Sequence, residues 1–205
     1  MAPLDALLDL LEAAAGPAEP LPSTDAWELV LAENVAYLVD DQRRRDAMRQ
    51  LRRLVGIEPE QILAAPDHLL LQAVTGIQPA ARIARLRRCA ELAIAEAPWT
   101  RYPGIGKPGA ERIALFSGTR PVLALDSNAL RVLVRLGYGD PDAAYATTYR
   151  QAQARASSQL TETAPARQRA HQLLRRHGKT ICRRSAPACP QCPLVDHCPS
   201  AHTSP

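Results

Sequence analysis

Apolar residues along this chain recur every three or four positions, which is the period of an amphipathic α-helix. A first helix is predicted over residues 3–15, with its leucines on one face and Gly16 at the usual place for a helix end. Asp25 followed by Glu28 resembles a capping box that opens the next helix. The same period predicts further helices over 42–55, 59–64, 67–74, 79–96, 110–116, 127–136, 141–158 and 164–176. Because no segment alternates strictly between apolar and polar residues, the chain is predicted to be all-α.

Composition and length support one large domain or two small ones in a cytoplasmic protein. The chain has 205 residues, of which 46% are hydrophobic and only 4% aromatic, so its core must be built from Leu, Ile, Val and Ala. No apolar run is long enough to cross a membrane, and the N-terminus does not resemble a signal peptide. In the cytoplasm thiols stay reduced, and clustered cysteines there bind metal more often than each other. We expect no membrane partner and a monomer.

Positive charge is distributed unevenly. The net charge is only +4, yet the segment 163–195 contains no Asp or Glu and seven basic residues. Two further arginine clusters lie in 43–53 and 82–88. Such patches suit a polyanion, from which they would displace counterions. The alternative for the clusters in 163–195 and 43–53 is that they are ordinary solvated helices.

Four cysteines close to the C-terminus are separated by six, two and five residues. They are Cys182, Cys189, Cys192 and Cys198. Structural zinc usually uses two close pairs joined by a longer arm, whereas this spacing contains a single close pair and favours a 4Fe-4S cluster. Zinc and disulfides are the alternatives, and the isolated Cys89 is interpreted as a buried thiol.

Two arginines lie inside the first cysteine loop, and two interpretations remain open for them. Arg183 and Arg184 either contact phosphates or offset the negative charge of the cluster.

A glycine-rich turn precedes the predicted helix at 110–116. In Pro103-Gly104-Ile105-Gly106 two glycines permit a tight turn, and the amides of the following helix can bind a phosphate, with Lys107 adding a charge. Farther along, Asp126 follows an apolar run. It either caps the next helix or faces a cleft and acts on a sugar or a water.

These motifs together resemble endonuclease III and its relatives, the helix-hairpin-helix DNA glycosylases of base excision repair. The resemblance rests on Pro103–Gly106, an Asp twenty residues after the second glycine, and His177-Gly178 before the cysteines. It implies a helical barrel domain with the hairpin at 24–134, and an α-helical iron-sulfur cluster domain formed by 1–23 and 135–205. It also implies double-stranded DNA as partner, association with the nucleoid, and Asp126 as the essential carboxylate acting on a flipped nucleoside.

The chain departs from this family at the catalytic lysine. Members that cleave the DNA strand carry a lysine two residues after the second glycine, and here that residue is Pro108, which has no amine for a Schiff base. Lys107 is one residue early, so it would point about 100° away on a helix. Asp126-Ser127-Asn128 resembles the Asp-Gly-Asn of the adenine-mismatch branch, whose members use water, and makes Asn128 a polar helper. We therefore predict a monofunctional glycosylase, with a non-catalytic DNA-binding relative or a residual lyase using Lys107 as alternatives.

Two apolar residues take the places of the wedges that fill the DNA helix in this family. They are Leu38 and Ile77. Apolar side chains can enter a base stack, and the alternative is that both belong to the core. The segment before Gly104 is also short, which predicts a truncated first helix in the hairpin motif.

Overall fold

The computed structural model describes residues 2–37 and 39–201 and is mostly helical, which confirms the predicted all-α class. Most helix bounds lie within a few residues of the predicted ones. The helices of the described residues are α1 (Leu4–Ala15), α2 (Ala26–Val35), α3 (Asp41–Leu54), α4 (Pro59–Ala64), α5 (Asp67–Ala73), α6 (Pro79–Ile94), α7 (Lys107–Phe116), α8 (Ser127–Arg135), α9 (Tyr145–Ser157) and α10 (Ala164–Thr180).

Side-chain caps explain where several of these helices begin. The first amides of a helix lack partners within the helix, and a short polar side chain just before it can accept from them. At α2 the Asp25 carboxylate accepts from the amide of Glu28 at 2.8 Å, as the sequence predicts. Asp40 accepts in the same way from Arg43 at the start of α3. At α1, the backbone amide of Gly16 donates to Glu12, so the predicted helix end is also found.

One small sheet was not predicted. Strands β1 (Ala36–Tyr37) and β2 (Thr75–Gly76) pair in parallel, with Ala36 opposite Thr75. A strand of two residues is too short to produce an alternating pattern, so the sequence contains no signal for it.

The chain divides into two compact units, each with its own apolar core. One unit runs from Ser23 to Ile113, and the other combines residues up to Pro22 with residues from Ala114 onward. The leucines of α1 pack with α8, α9 and α10 in the second of these cores. The range 114–134, which the sequence analysis assigned to the barrel domain, groups here with the two terminal segments.

None of the helices formed by residues 2–37 and 39–201 combines the length and the apolar composition that a membrane span requires.

Candidate functional site

Asp126 caps α8 and lies in a dense polar network. Its Oδ1 accepts from the amides of Asn128 and Ala129 at 2.9 and 2.8 Å. Its Oδ2 accepts from the side-chain amide of Asn128 at 3.2 Å. The cap that the sequence analysis offered as one interpretation of Asp126 is therefore present, and the capping side chain remains 29% exposed. The other interpretation, action on a sugar or a water in a cleft, stays a prediction.

Arg131 links this carboxylate to the cysteine tail. Its guanidinium donates to Oδ1 of Asn128 at 2.9 Å, to the carbonyl of Gly178 at 2.7 Å and to the carbonyl of Cys182 at 2.9 Å. Burial lowers the pKa of Arg131, although an arginine remains charged at any physiological pH. Asp126, Asn128, Arg131 and Cys182 therefore form one continuous chain of polar contacts.

Helix α10 approaches this network closely because residue 178 is glycine. A methyl group added there would lie 2.6 Å from the backbone oxygen of Asn128. That distance is far inside van der Waals contact. Gly178, which the sequence analysis used only as part of the family motif, thus permits the packing of α10 against α8.

Arg175 is a functional candidate that the sequence reasoning missed. Its Nε lies 3.1 Å from Oδ2 of Asp126, and its side chain is 28% exposed. In the sequence it was one more member of the basic segment 163–195. Partial burial raises the pKa of Tyr145, at the start of α9, and the charge of Asp126 raises it further.

The four tail cysteines, Cys182, Cys189, Cys192 and Cys198, form no disulfide. Burial raises the pKa of the Cys192 thiol, and the charges of Cys182, Cys198 and Cys189 raise it further. Cys182, Cys192 and Cys198 also pack against the same apolar core. No group of three or more His, Cys, Asp or Glu side chains in the described ranges is arranged to hold a metal ion. The donor type is nonetheless suited to metal, because four thiols within a short stretch of sequence are the chemistry that binds an iron-sulfur cluster or zinc.

The last residue of α8, Arg135, holds the start of this tail. Its guanidinium donates to the Cys182 sulfur at 3.2 Å and to the carbonyls of Arg183 and Arg184 at 2.8 and 3.3 Å. The Cys198 thiol in turn donates to the carbonyl of Arg135 at 3.5 Å. The first and last cysteines are therefore fixed to the same helix end.

Histidine 177 contacts the tail from α10. Its Nε2 lies 3.5 Å from the Cys192 sulfur, and burial lowers the pKa of His177 to about 4. The ring is therefore neutral near pH 7.

The two arginines of the first cysteine loop face solvent. The backbone carbonyls of Arg183 and Arg184 accept from Arg135, while the Arg183 guanidinium donates to the carbonyl of Ala186 at 3.0 Å. Both residues are exposed. Neither of the two interpretations of these residues is tested by the contacts.

In the other unit, the glycine turn is built mainly from backbone. Gly104 has a φ of +78°, and a methyl group there would meet Oδ1 of Asn34 at 2.8 Å. This position therefore requires glycine for two reasons, its backbone conformation and the lack of space for a side chain. The Ile105 side chain is buried, and its amide donates to the carbonyl of Tyr102. The carbonyl of Gly106 accepts from the amide of Ala110, and this hydrogen bond is the first of α7. The segment before the turn is a single 3-10 turn at Trp99–Arg101.

Lys107 and Pro108 form the first turn of α7. Proline is tolerated there because that turn needs no amide donor. The Nζ of Lys107 lies 3.6 Å from Oε1 of Glu111, one turn along the same helix.

Of the two wedge candidates, Ile77 lies among the described residues. Ile77 is 53% exposed and follows β2, while Leu38 lies outside the described residues. Arg82 donates to the carbonyls of Ile77 and Asn34 at 3.0 Å each, and its guanidinium lies 4.8 Å from the ring centre of Tyr37. Ile77 is therefore not a core residue, and a buried arginine fixes the loop that carries it.

The basic clusters are largely engaged within their own units. Arg52 pairs with Glu28 at 3.1 Å, and Arg87 pairs with Asp67 at 2.6 Å. In the acid-free segment, Arg169 pairs with Asp9 and Glu12 of α1. A segment without acids in sequence is thus not a uniformly open basic surface in the fold. Cys89 is fully buried as predicted, and burial raises its pKa to about 12.

Comparison with known proteins places the fold. No known family model matches the chain, and neither does any curated protein sequence. A non-covalent endonuclease III-DNA complex matches with a TM-score of 0.80 and 20% identity, and a trapped covalent endonuclease III-DNA intermediate with 0.78 and 19%. Each of these matches covers 98% of both chains. A thermostable thymine-DNA glycosylase matches with a TM-score of 0.71 and 16% identity over 98% of this chain and 95% of its own.

These identities are too low to transfer an activity, but the agreement extends over nearly the whole length of each chain. The resemblance found in the motifs is therefore confirmed at the level of the fold. This chain has the helix-hairpin-helix fold of endonuclease III and related DNA glycosylases.

Proposed function

We propose that this protein is a base excision repair glycosylase that hydrolyses the N-glycosidic bond of a damaged or mispaired base with water. The observation that carries the proposal is Asp126. It is a partly exposed carboxylate at the start of α8, in a fold shared along its length with endonuclease III bound to DNA. A fold alone does not fix a function, so the proposal depends on this residue and its surroundings.

Asp126 is proposed to be the catalytic residue. As the base departs, positive charge develops on the deoxyribose, and a fixed carboxylate stabilises that charge or takes a proton from the attacking water. The two backbone amides on Oδ1 hold the carboxylate in place. Asn128 is proposed as the polar helper, since its side chain bonds Oδ2 and is itself held by Arg131.

Water rather than lysine is proposed as the attacking group. Residue 108 is proline, which has no amine, and Lys107 is paired with Glu111 on its own helix. An imine to the sugar requires an amine that can reach it. This supports excision without direct strand cleavage.

We propose that Cys182, Cys189, Cys192 and Cys198 hold a 4Fe-4S cluster. The group would supply a rigid crosslink of four points in the chain, and its role here would be structural. Arg135 already fixes the first and last of these cysteines, so the cluster would complete a loop that presents Arg183 and Arg184 to DNA phosphates.

The partner is proposed to be double-stranded DNA, bound by a monomer at the nucleoid. Gly104, Ile105, Gly106 and Lys107 would bind a phosphate through the start of α7. Ile77 would act as a wedge in the base stack, for which its exposure and its fixed carbonyl are suited. Leu38 is proposed as the second wedge. We also propose that residues 24–134 form the barrel domain and that residues 1–23 and 135–205 form the cluster domain.

The test is base excision on duplexes that carry a panel of damaged and mismatched bases. Wild type and Asp126→Asn are compared, each reaction being split between alkali treatment and borohydride trapping, with endonuclease III as the positive control for trapping. We expect alkali-dependent cleavage that the variant loses, and no trapped complex. Efficient trapping by the wild type would refute the monofunctional mechanism, and trapping abolished by Lys107→Ala would assign a lyase to that lysine.

The second candidate function is DNA binding without catalysis. The observations that favour it are Pro108 and the engagement of both Asp126 oxygens by neighbouring groups. Salt-dependent duplex binding without excision of any base in the panel would establish this alternative.

A further inference from the structure

Both oxygens of the Asp126 carboxylate are engaged by neighbouring groups in this structure. A carboxylate offers about four lone-pair sites, two on each oxygen. Backbone amides take both sites of Oδ1, and the Asn128 side chain takes one of Oδ2. Nε of Arg175 lies 3.1 Å from Oδ2 and forms an ion pair with it. Both oxygens of this carboxylate thus have partners, and its charge is balanced by a cation.

Of these four contacts, the one to Arg175 is the easiest to exchange. The two amides belong to the first turn of α8, and the Asn128 side chain is held by Arg131. Arg175 comes from a different helix, α10, and more than a quarter of its side chain is exposed. A guanidinium binds phosphate with the same geometry as carboxylate, so a DNA phosphate can replace Asp126 as its partner.

We infer that Arg175 is a positioning residue that exchanges Asp126 for a backbone phosphate when DNA binds. The exchange of partners concerns DNA binding alone. Only the catalytic use of the released Oδ2 of Asp126 rests on the proposed function. One ion pair is broken and another forms, so the exchange requires little net free energy. It makes Oδ2 of Asp126 available only when a phosphate lies beside it.

The inference predicts that Asp126 and DNA compete for Arg175, which a double-mutant cycle on binding measures. The proteins are wild type, Asp126→Asn, Arg175→Gln and the double variant. The probe is a duplex with a tetrahydrofuran abasic-site analogue, titrated by fluorescence anisotropy at several salt concentrations. Asparagine retains the oxygen that caps α8 and removes only the charge, so the helix start is preserved.

We expect Asp126→Asn to increase the affinity for the duplex more when Arg175 is present than in the Arg175→Gln background. The difference between the two gains should be about twofold to fivefold, which is the range for releasing one partly exposed ion pair. Loss of a negative charge favours DNA in both backgrounds, so the difference between the two gains is the diagnostic quantity. Arg175→Gln should lower the slope of log K against log salt by about one, as for one phosphate contact. Arg175→Lys, which keeps the charge, should restore that slope.

Arg150→Gln is the matched control, because Arg150 is an exposed arginine of α9 that contacts Thr147. In that background the gain from Asp126→Asn should be the same as in wild type. Equal gains with and without Arg175, or an unchanged salt slope in both Arg175 variants, would overturn the inference. The cycle measures binding alone, so it remains decisive even if the excision panel shows no activity and the proposed function fails.

Discussion

The glycine turn and the Asp126 site place polar groups for the same proposed partner in opposite ways. The turn uses consecutive residues, and its geometry depends on backbone hydrogen bonds and on one glycine with positive φ. The Asp126 site brings together side chains from α8, α10 and the cysteine tail, with a separation of 49 residues between Asp126 and Arg175 and 51 between Arg131 and Cys182. Apart from the packing of Gly104 against Asn34, the turn depends on its own neighbouring residues, whereas a site assembled over long range depends on every element that supplies it.

The strongest test of this difference is the tail itself. In Cys192→Ser we expect complete loss of bound iron and loss of cooperative unfolding of the unit that contains Asp126, since a bound cluster contributes folding free energy. Iron content and thermal unfolding measure both effects. Cys89→Ala, which changes a buried thiol of the other unit, is the control and should keep its iron. A Cys192→Ser protein with full iron and unchanged unfolding would rule out Cys192 as a ligand, and wild-type protein without iron would rule out the cluster.

A second test removes the proposed catalytic charge while leaving the fold. In Asp126→Asn we expect base excision under single-turnover conditions to fall about a thousandfold, within the general range for acid-base groups of about 10² to 10⁴. Stability should change by less than about 1 kcal/mol because asparagine also caps helices. Excision at near wild-type rates would remove Asp126 from the mechanism.

The close approach of α10 to α8 provides a third test. In Gly178→Ala the added methyl group would lie 2.6 Å from the Asn128 oxygen, and we expect a loss of about 1–3 kcal/mol in the free energy of unfolding. Urea unfolding measures it. Gly109→Ala is the control in the hairpin region, because a methyl there meets only Ile105 at 3.5 Å, and alanine should be neutral or stabilising within α7.

Substitution in the glycine turn should have a different effect. In Gly104→Ala we expect a loss of about 1–2 kcal/mol in stability, from the positive φ and the contact with Asn34. Binding to the abasic duplex should weaken, while the excision rate at saturating protein stays unchanged, because Asp126 and its partners are not altered. A slower rate at saturation would show that the hairpin also governs the chemical step.

Local signals explain what could be predicted from the sequence. The apolar period, the Asp25 cap and Gly16 each act over a few residues, and the helices they predict are present. The cysteine spacing is equally local, and the cluster it favours stays a prediction. The burial of Arg82 could have been predicted from its position in the sequence. It shares a helix face with Leu86 and Cys89, at spacings of four and seven, and all three are buried.

Long-range pairing explains what could not be predicted. Nothing near Arg175 or Arg169 indicates that their partners are Asp126 and residues of α1, because an ion pair between distant segments leaves no periodic trace. The acid-free segment 163–195 therefore gave a misleading impression of an open basic surface. The two-residue strands were missed for a related reason, since their pairing is defined only by the partner strand.

The grouping of α1 with the C-terminal half has a consequence for synthesis. Its four buried leucines belong to a core completed by residues from 123 to 194, whereas residues 23–113 form their own core from one continuous segment. Ribosomes add about 5–20 residues per second, so α1 must remain exposed for several seconds after it emerges, while the intervening unit can already fold. In a growing chain, the leucine face of α1 is thus the surface that most needs a chaperone.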